Sequence, residues 1–315
     1  MSEPNKLSLP ETSQRTVEAL SLIGSKPMTV GEYTVSGEKK WSSPFLTVGK
    51  LVFEAGAVLV FDVSVTRKYQ NILIVAEEIV SKDQESLGEI RWADLTQSVP
   101  PSPGYGSSGQ DMAIHTGATG GQGGVGPAGI VGEPGYNAPS LTIMLKKLTG
   151  GLKVNLKGED GGAGGVGGIG GAGGQGGRGS PASQNLFNCM AGAGDGGTGG
   201  SGGVGGAGGA GGNGGNGGTL TLISELDAVD AISRLLVVDL SGGVGGAAGQ
   251  GGEGGSGGPG GPGGQESKPY CVGNGDQGPG GAKGPNGSAG IPGAIGQPGA
   301  YYFGGLSIED LGKII

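Results

Sequence analysis

Apolar residues fall in strand-length clusters separated by long stretches that carry few of them. The first cluster opens at Pro44. Residues 45–53 read FLTVGKLVF, 57–65 read AVLVFDVSV and 71–80 read NILIVAEEIV, with Gly56 between the first two. β-Branched and apolar residues in runs of this length predict strands. In the second and third runs apolar residues occupy successive positions, which predicts strands covered on both faces. A further piece, GEIRWADL, ends at Leu95. Upstream, Pro10 and Glu11 are followed by Val17, Leu20 and Ile23 and then by Gly24. That order predicts a short helix with proline near its start and glycine past its end. A helix this short is unstable alone, so it docks or frays, and a loose arm is the expectation. Residues 29–35 read as a short strand.

The apolar clusters recur. NILIVAEEI (71–79) is followed by IRWADL (90–95), SLTIMLKKL (140–148) by GLKVNLK (151–157), and TLTLISEL (219–226) by LLVVDLSGG (235–243). Each unit reads strand, turn, strand, then a long glycine-rich insert, and YYFGGLSI (301–308) supplies one more strand. Units that cannot bury a face alone must stack. The expected fold class is therefore all-β plus polyglycine-II. It comprises a small stacked β-solenoid or layered β base, with three long hairpins of polyglycine-II helices packed as a bundle.

The corresponding division is an N-terminal arm with a short helix (1–40), the start of the β base (41–95) and a first glycine-rich insert (96–139). A β unit (140–157), a second hairpin (158–218), a β unit (219–240), a third hairpin (241–299) and a C-terminal strand and tail (300–315) follow.

The glycine runs keep a period of three. Glycine stands at every third position from 117 to 135, from 243 to 264 and from 275 to 299. A polyproline-II-type helix has about three residues per turn and a rise of about 3.1 Å, so a twenty-residue arm reaches roughly 60 Å. Such a helix has no internal hydrogen bonds, so its N–H and C=O groups need partners on neighbouring helices. Gly-Gly-X leaves two bare edges for that approach. Folding 158–218 back on itself sets Val166 level with Ala210, Ile169 with Ala207 and Arg178 with Thr198. Collagen competes at 275–299, where Gly-Ile-Pro and Gly-Gln-Pro occur, but collagen needs three chains and a long imino-rich run.

Composition changes the picture in two ways. Glycine is 81 of 315 residues and aromatics are 4%. This excludes a conventional core for the whole length and leaves one modest core for the apolar clusters. A net charge of −8 argues against nucleic acid, which needs a basic footprint. No run is long enough for a transmembrane helix, so no membrane insertion is expected. The start, MSEPNKLSLPETSQ, lacks the basic-then-apolar layout of a signal peptide. The reading is an extracellular or particle-surface protein without a recognisable leader, with the cytoplasm left open.

Candidate chemistry is sparse. Matches to G-x-G-x-x-G occur throughout and carry nothing without a strand-to-helix context. One histidine, His115, supports neither a catalytic set nor a zinc site. No catalytic residue, metal or cofactor is expected.

Two segments of ordinary composition interrupt the glycine, 180–194 (SPASQNLFNCMAGAG) and 266–275 (ESKPYCVGNG), each with one cysteine. Cys189 and Cys271 lie at matching distances from the starts of their inserts. They are candidates either for a disulfide joining the two tips or for two free buried thiols. Leu186, Phe187, Met190 and Tyr270 also fall there, read as an exposed recognition surface or as caps that close the hairpin ends. Leu46, Val48 and Leu51 at one end, and Tyr301, Phe303, Leu306 and Ile308 at the other, are candidate assembly edges, because unpaired strand edges invite pairing.

At the Gly-Gly-X runs the chain resembles the glycine-rich host-recognition domain of adhesins at the tips of T-even phage long tail fibres. The resemblance covers about 117–299 and rests on repeat type; snow flea antifreeze proteins share the helix bundle. It implies packed polyglycine-II helices with receptor-selecting loops at one end, here 180–194 and 266–275 by position. The expected function is a non-enzymatic, self-associating surface filament or fibre building block displaying its tips. The alternatives are an adhesin that recognises a cell-surface receptor or carbohydrate and, third, an ice-binding protein.

Overall fold

A computed structural model describes residues 4–21, 30–92, 100–101, 104–112 and 116–315. The helix-end signals Ile23 and Gly24, the end of GEIRWADL at 93–95, and His115 lie outside the described residues.

In chain order the elements begin with β1 (Asn5–Lys6), α1 (Leu9–Leu20), β2 (Val30–Val35) and β3 (Glu38–Trp41). Next come β4 (Phe45–Phe53), β5 (Val58–Phe61), α2 (Val63–Thr66), β6 (Asn71–Ser81) and β7 (Gly88–Trp92). Then follow β8 (Ser140–Thr149), β9 (Leu152–Asn155) and the short pair β10 (Ser183–Gln184) and β11 (Cys189–Ala191). The chain closes with β12 (Leu220–Glu225), α3 (Val229–Ser233), β13 (Leu236–Asp239), β14 (Tyr301–Leu306) and α4 (Ile308–Gly312).

The strands form a seven-stranded sheet, order β1-β14-β12-β8-β6-β4-β2, and a five-stranded sheet, order β13-β9-β7-β5-β3. Every ladder in both sheets is parallel. This overturns the expected β-solenoid base with three long hairpins: the layout is a parallel-sheet α/β one with few helices. The strand–turn–strand repeat is real. What it conceals is that the two strands of each unit go to different sheets.

The core lies between the sheets. Leu46, Phe53, Ile74, Leu141, Ile143 and Leu222 of the larger sheet meet Leu59, Phe61, Ile90, Leu152 and Val154 of the smaller one. The other face of the larger sheet carries Leu73, Val75, Met144 and Ile223, covered by Ala19 of α1 and Leu311 of α4. The apolar runs of β6 and β8 thus reflect strands covered on both faces. α1 docks on this face rather than fraying, with Thr12, Thr16 and Ala19 buried. The Glu11 carboxylate accepts from the Ser8 N–H at 2.8 Å and its hydroxyl at 2.7 Å, the backward arm of a capping box. Those bonds, the side-chain one first, hold Glu11 below its ordinary value.

The glycine runs continue the sheets. Runs 117–139, 195–218 and 275–299 lead directly into β8, β12 and β14, while runs 158–180 and 241–265 leave β9 and β13. The ladders cross the junctions without a break: Leu141 N–H bonds Thr219 C=O at 2.8 Å, and Ala138 N–H bonds Asn216 C=O at 2.9 Å. In the other layer Leu156 N–H bonds Asp239 C=O at 2.8 Å, and Gly158 N–H bonds Ser241 C=O at 2.8 Å.

Within a layer the runs are parallel: Gly126 N–H reaches Val204 C=O (2.8 Å) and Gly205 N–H reaches Pro285 C=O (2.9 Å). Between layers they are antiparallel and also bonded: Gly206 N–H reaches Gly168 C=O and Gly252 N–H reaches Gly206 C=O, both at 2.8 Å. In each Gly-Gly-X triplet of 195–218, then, the first glycine donates within its layer, the second donates across layers, and X points out. Separate hairpins are not the packing unit, and the chain is not a glycine-rich fibre. The runs bond across inserts within one folded chain, because backbone groups without internal partners take whichever neighbour is in reach.

The candidate assembly edges are corrected. Leu46, Val48 and Leu51 lie in β4, which is paired on both sides and buried in the core. Tyr301, Phe303 and Leu306 lie in β14, also paired on both sides, by β1 and β12, and also buried. Ile308 starts α4 and is exposed. The outer strands are β1 and β2 in one sheet and β13 and β3 in the other.

Candidate functional site

The segments that interrupt the glycine, 180–194 and 266–274, sit together at the far end of the runs. Their connection begins in the run pattern, where Ala182 N–H continues the layer bonding to Gln265 C=O at 2.9 Å. Beyond it, β10 and β11 form a two-stranded antiparallel hairpin. Asn185 turns it: its side-chain oxygen accepts from Phe187 N–H at 2.9 Å and Asn188 N–H at 2.7 Å, the local mimicry that favours asparagine in turns. The second loop closes through paired backbone bonds between Ser267 and Cys271, 2.9 and 2.8 Å.

A disulfide joins Cys189 to Cys271, with Cα atoms 4.9 Å apart across 82 residues of chain. Of the two readings of these cysteines, free buried thiols are thereby excluded. Gln184 adds a second link, accepting from Tyr270 N–H at 2.9 Å and donating to the Lys268 carbonyl. Glu266 braces the second loop by accepting from Gly273 N–H at 3.0 Å and pairing with Lys268 at 2.8 Å. The Gly273 N–H first, then Lys268, hold the Glu266 carboxyl below its ordinary value, and Glu266 raises the Lys268 ammonium.

On this braced pair of loops Leu186, Phe187 and Met190 are 83%, 76% and 66% exposed. Tyr270 is half-exposed. Residues closing a hairpin end against water would be buried, so the capping reading does not describe them. Val272, 74% exposed, joins the set and was not singled out from sequence; its place beside Cys271 was the available signal. Large apolar side chains gathered on loops that a scaffold holds still are the usual composition of a binding surface.

Elsewhere, an apolar groove of about 520 Å³ lies beside β13, lined by Leu236, Val238, Leu240, Pro298 and Tyr301. Burial pushes the Tyr301 phenol up, and its hydroxyl lies 3.4 Å from Ser233 C=O. Among the described residues no group of three His, Cys, Asp or Glu side chains is placed to hold a metal ion. Among them, too, no helix is long and apolar enough to cross a membrane. No family model matches the chain, and no curated protein matches it.

Proposed function

We propose that the chain is a non-enzymatic display protein whose loop end recognises a partner on a cell surface, a receptor protein or its carbohydrate. The observation that supports this most is the exposure of Leu186, Phe187, Met190, Tyr270 and Val272 on two loops tied by a disulfide. A rigid aromatic and aliphatic cluster loses little entropy on binding, and aromatic anchors dominate interface energetics. The resemblance to tail-fibre adhesins points the same way, and the disulfide fits an oxidising, extracellular setting. Binding of the purified protein to a panel of intact cells tests the reading. The double variant Phe187→Ala/Tyr270→Ala should abolish binding to any cell type that the parent protein binds. Unchanged binding after replacement of both loops would reject it.

A second reading is self-association, supported by β13, an outer strand whose Val237 is 52% exposed. Sedimentation at increasing concentration decides it: uniform monomers throughout would sink it.

A further inference from the structure

A polar cleft of about 320 Å³ opens between α1 and the outer face of the seven-stranded sheet. It lies at the sheet end of the molecule, remote in the fold from the loops, and it does not depend on the loop reading.

Its floor follows from strand register. Side chains alternate across a strand. Leu141, Leu220 and Tyr301 point into the core between the sheets, so their neighbours in sequence face α1. In adjacent strands Thr142 pairs with Thr221, and Thr221 with Tyr302. One step towards the glycine runs, Asn71 pairs with Ser140, and Leu141 N–H bonds Thr219 C=O, which sets Thr219 beside Ser140. The floor is thus two short rows of hydroxyl and amide side chains, spaced by about 4.8 Å between strands. Beside these rows, the part of the face that the helices cover is apolar, with Leu73, Val75, Met144 and Ile223 buried there.

The wall comes from α1. Arg15 lies over the Tyr302 ring, 4.1 Å from its centre, and Glu18 stands one turn further on. The Arg15 guanidinium makes no hydrogen bond to any described residue, nor do the side chains of Thr142, Thr219, Thr221, Ser140 and Asn71. Thr221 is only 5% exposed as a residue, but its hydroxyl is not among the unbonded oxygens sealed from water, which are Glu159 Oε1 and Ser224 Oγ, so it opens into the cleft, where water or a ligand can take it. The buried threonines of α1 contrast with it, because Thr12 and Thr16 bond carbonyls of their own helix at 2.9 and 2.8 Å.

The lining decides the ligand class. Hydroxyls donate and accept, the amide does both, the guanidinium only donates and the carboxylate only accepts. One positive and one negative group leave the cleft without net charge, so neither a phosphate nor a metal cation is matched. The volume is at the lower end for small-molecule sites. We propose that this cleft binds a neutral saccharide of one or two rings, with Arg15 and Glu18 gripping from the helix and the Thr142–Thr221 row bonding its hydroxyls from below.

The test titrates the full-length, isotope-labelled protein with D-glucose, D-galactose, D-mannose and N-acetyl-D-glucosamine in turn, with sodium sulfate as the anion control. Binding is followed by amide chemical shifts. At least one saccharide should shift resonances of residues 15–19, 140–142, 219–221 and 302. Arg15→Ala should weaken that binding by about tenfold or more, the loss expected for hydrogen bonds from a charged donor. The near-isosteric pair Thr142→Val/Thr221→Val should weaken it comparably while leaving the circular dichroism and thermal midpoint of the fold intact, which separates loss of ligand contacts from loss of structure. Four results would overturn the proposal: no shift with any saccharide, shifts with sulfate alone, shifts confined to 180–194 and 266–274, or undiminished binding by the folded threonine variant.

Discussion

The two halves of the molecule join the same two layers by opposite means. At the sheet end the layers are held apart by side chains, and Phe53, Phe61, Ile74 and Ile143 fill the space. Facing sheets of this kind stand about 10 Å apart. At the glycine end the continuations of the same strands meet backbone to backbone, with Gly206 N–H on Gly168 C=O at 2.8 Å. The difference teaches what the second glycine of each triplet is for. It marks a position where another run lies against the chain.

Run 117–139 makes the point within itself. Its second positions are Gly121 and Gly124 where residues 104–112 lie alongside, with Gly121 N–H on Gln110 C=O and Gly124 N–H on Ser107 C=O. Beyond that neighbour the second positions become Pro127, Ile130, Glu133 and Tyr136. The outermost run, 275–299, likewise carries mostly one glycine per triplet. The central run, 195–218, carries two.

This contrast can be broken from either side. The largest effect is expected from Phe53→Ala, which empties a fully buried position of the side-chain core and should cost about 3–5 kcal/mol by chemical denaturation. Gly206→Ala is the opposite experiment, adding an atom where there is no room. Its Cβ would stand 1.9 Å from the Pro127 carbonyl oxygen, and the expected cost is about 1–3 kcal/mol or more. A variant as stable as the parent would show that runs 117–139 and 195–218 do not lie against each other as described.

Glu78 tests the sheet end by pH. It accepts from Lys147 at 3.0 Å and from Thr149 at 2.9 Å, with Lys50 at 3.5 Å. The Lys147 bond first, then Thr149, hold its carboxyl below the ordinary value. A carboxyl depressed on folding contributes stability that is present above its unfolded value and lost as pH falls through its folded one. Glu78→Gln should therefore cost about 1 kcal/mol at neutral pH, with the gap between variant and parent closing on acidification below the ordinary glutamate range. A gap independent of pH would remove the ion pairs as its cause.

The smallest effect belongs to Gly280→Ala. A Cβ there meets nothing nearer than 3.6 Å, so the loss of unfolded-state freedom should stabilise by about 0.5 kcal/mol. Destabilisation comparable to that of Gly206→Ala would end the distinction between the two kinds of glycine.

Much of this was legible in residue order. The apolar runs of β4, β5, β6, β8 and β12 declare themselves, and so does α1, because proline and an acidic residue sit at its start. The pairing of Cys189 with Cys271 stood as one of two options, since equal spacing in successive inserts is visible without coordinates.

Other features were hidden for definite reasons. β3 is Glu-Lys-Lys-Trp, a charged outer strand that exists because β5 pairs with it. α2 is Val-Ser-Val-Thr, poor helix residues held by Asp62, whose side chain accepts from Ser64 N–H at 2.9 Å. The burial of Leu46 depends on the smaller sheet that packs over it, which the sequence of β4 does not announce. The polar cleft under α1 depends on register across strands far apart in sequence, which no local pattern records.

The cross-layer bonds have a mechanical consequence. A load pulling the loop end away from the sheets would act along the runs, while the bonds between them lie across that direction. Successive bonds recur every third residue, about 9 Å along a run of this type, and a sliding run strains its whole row together. The glycine half should therefore resist tension as a shear joint, yielding abruptly where a zipper would open one bond at a time.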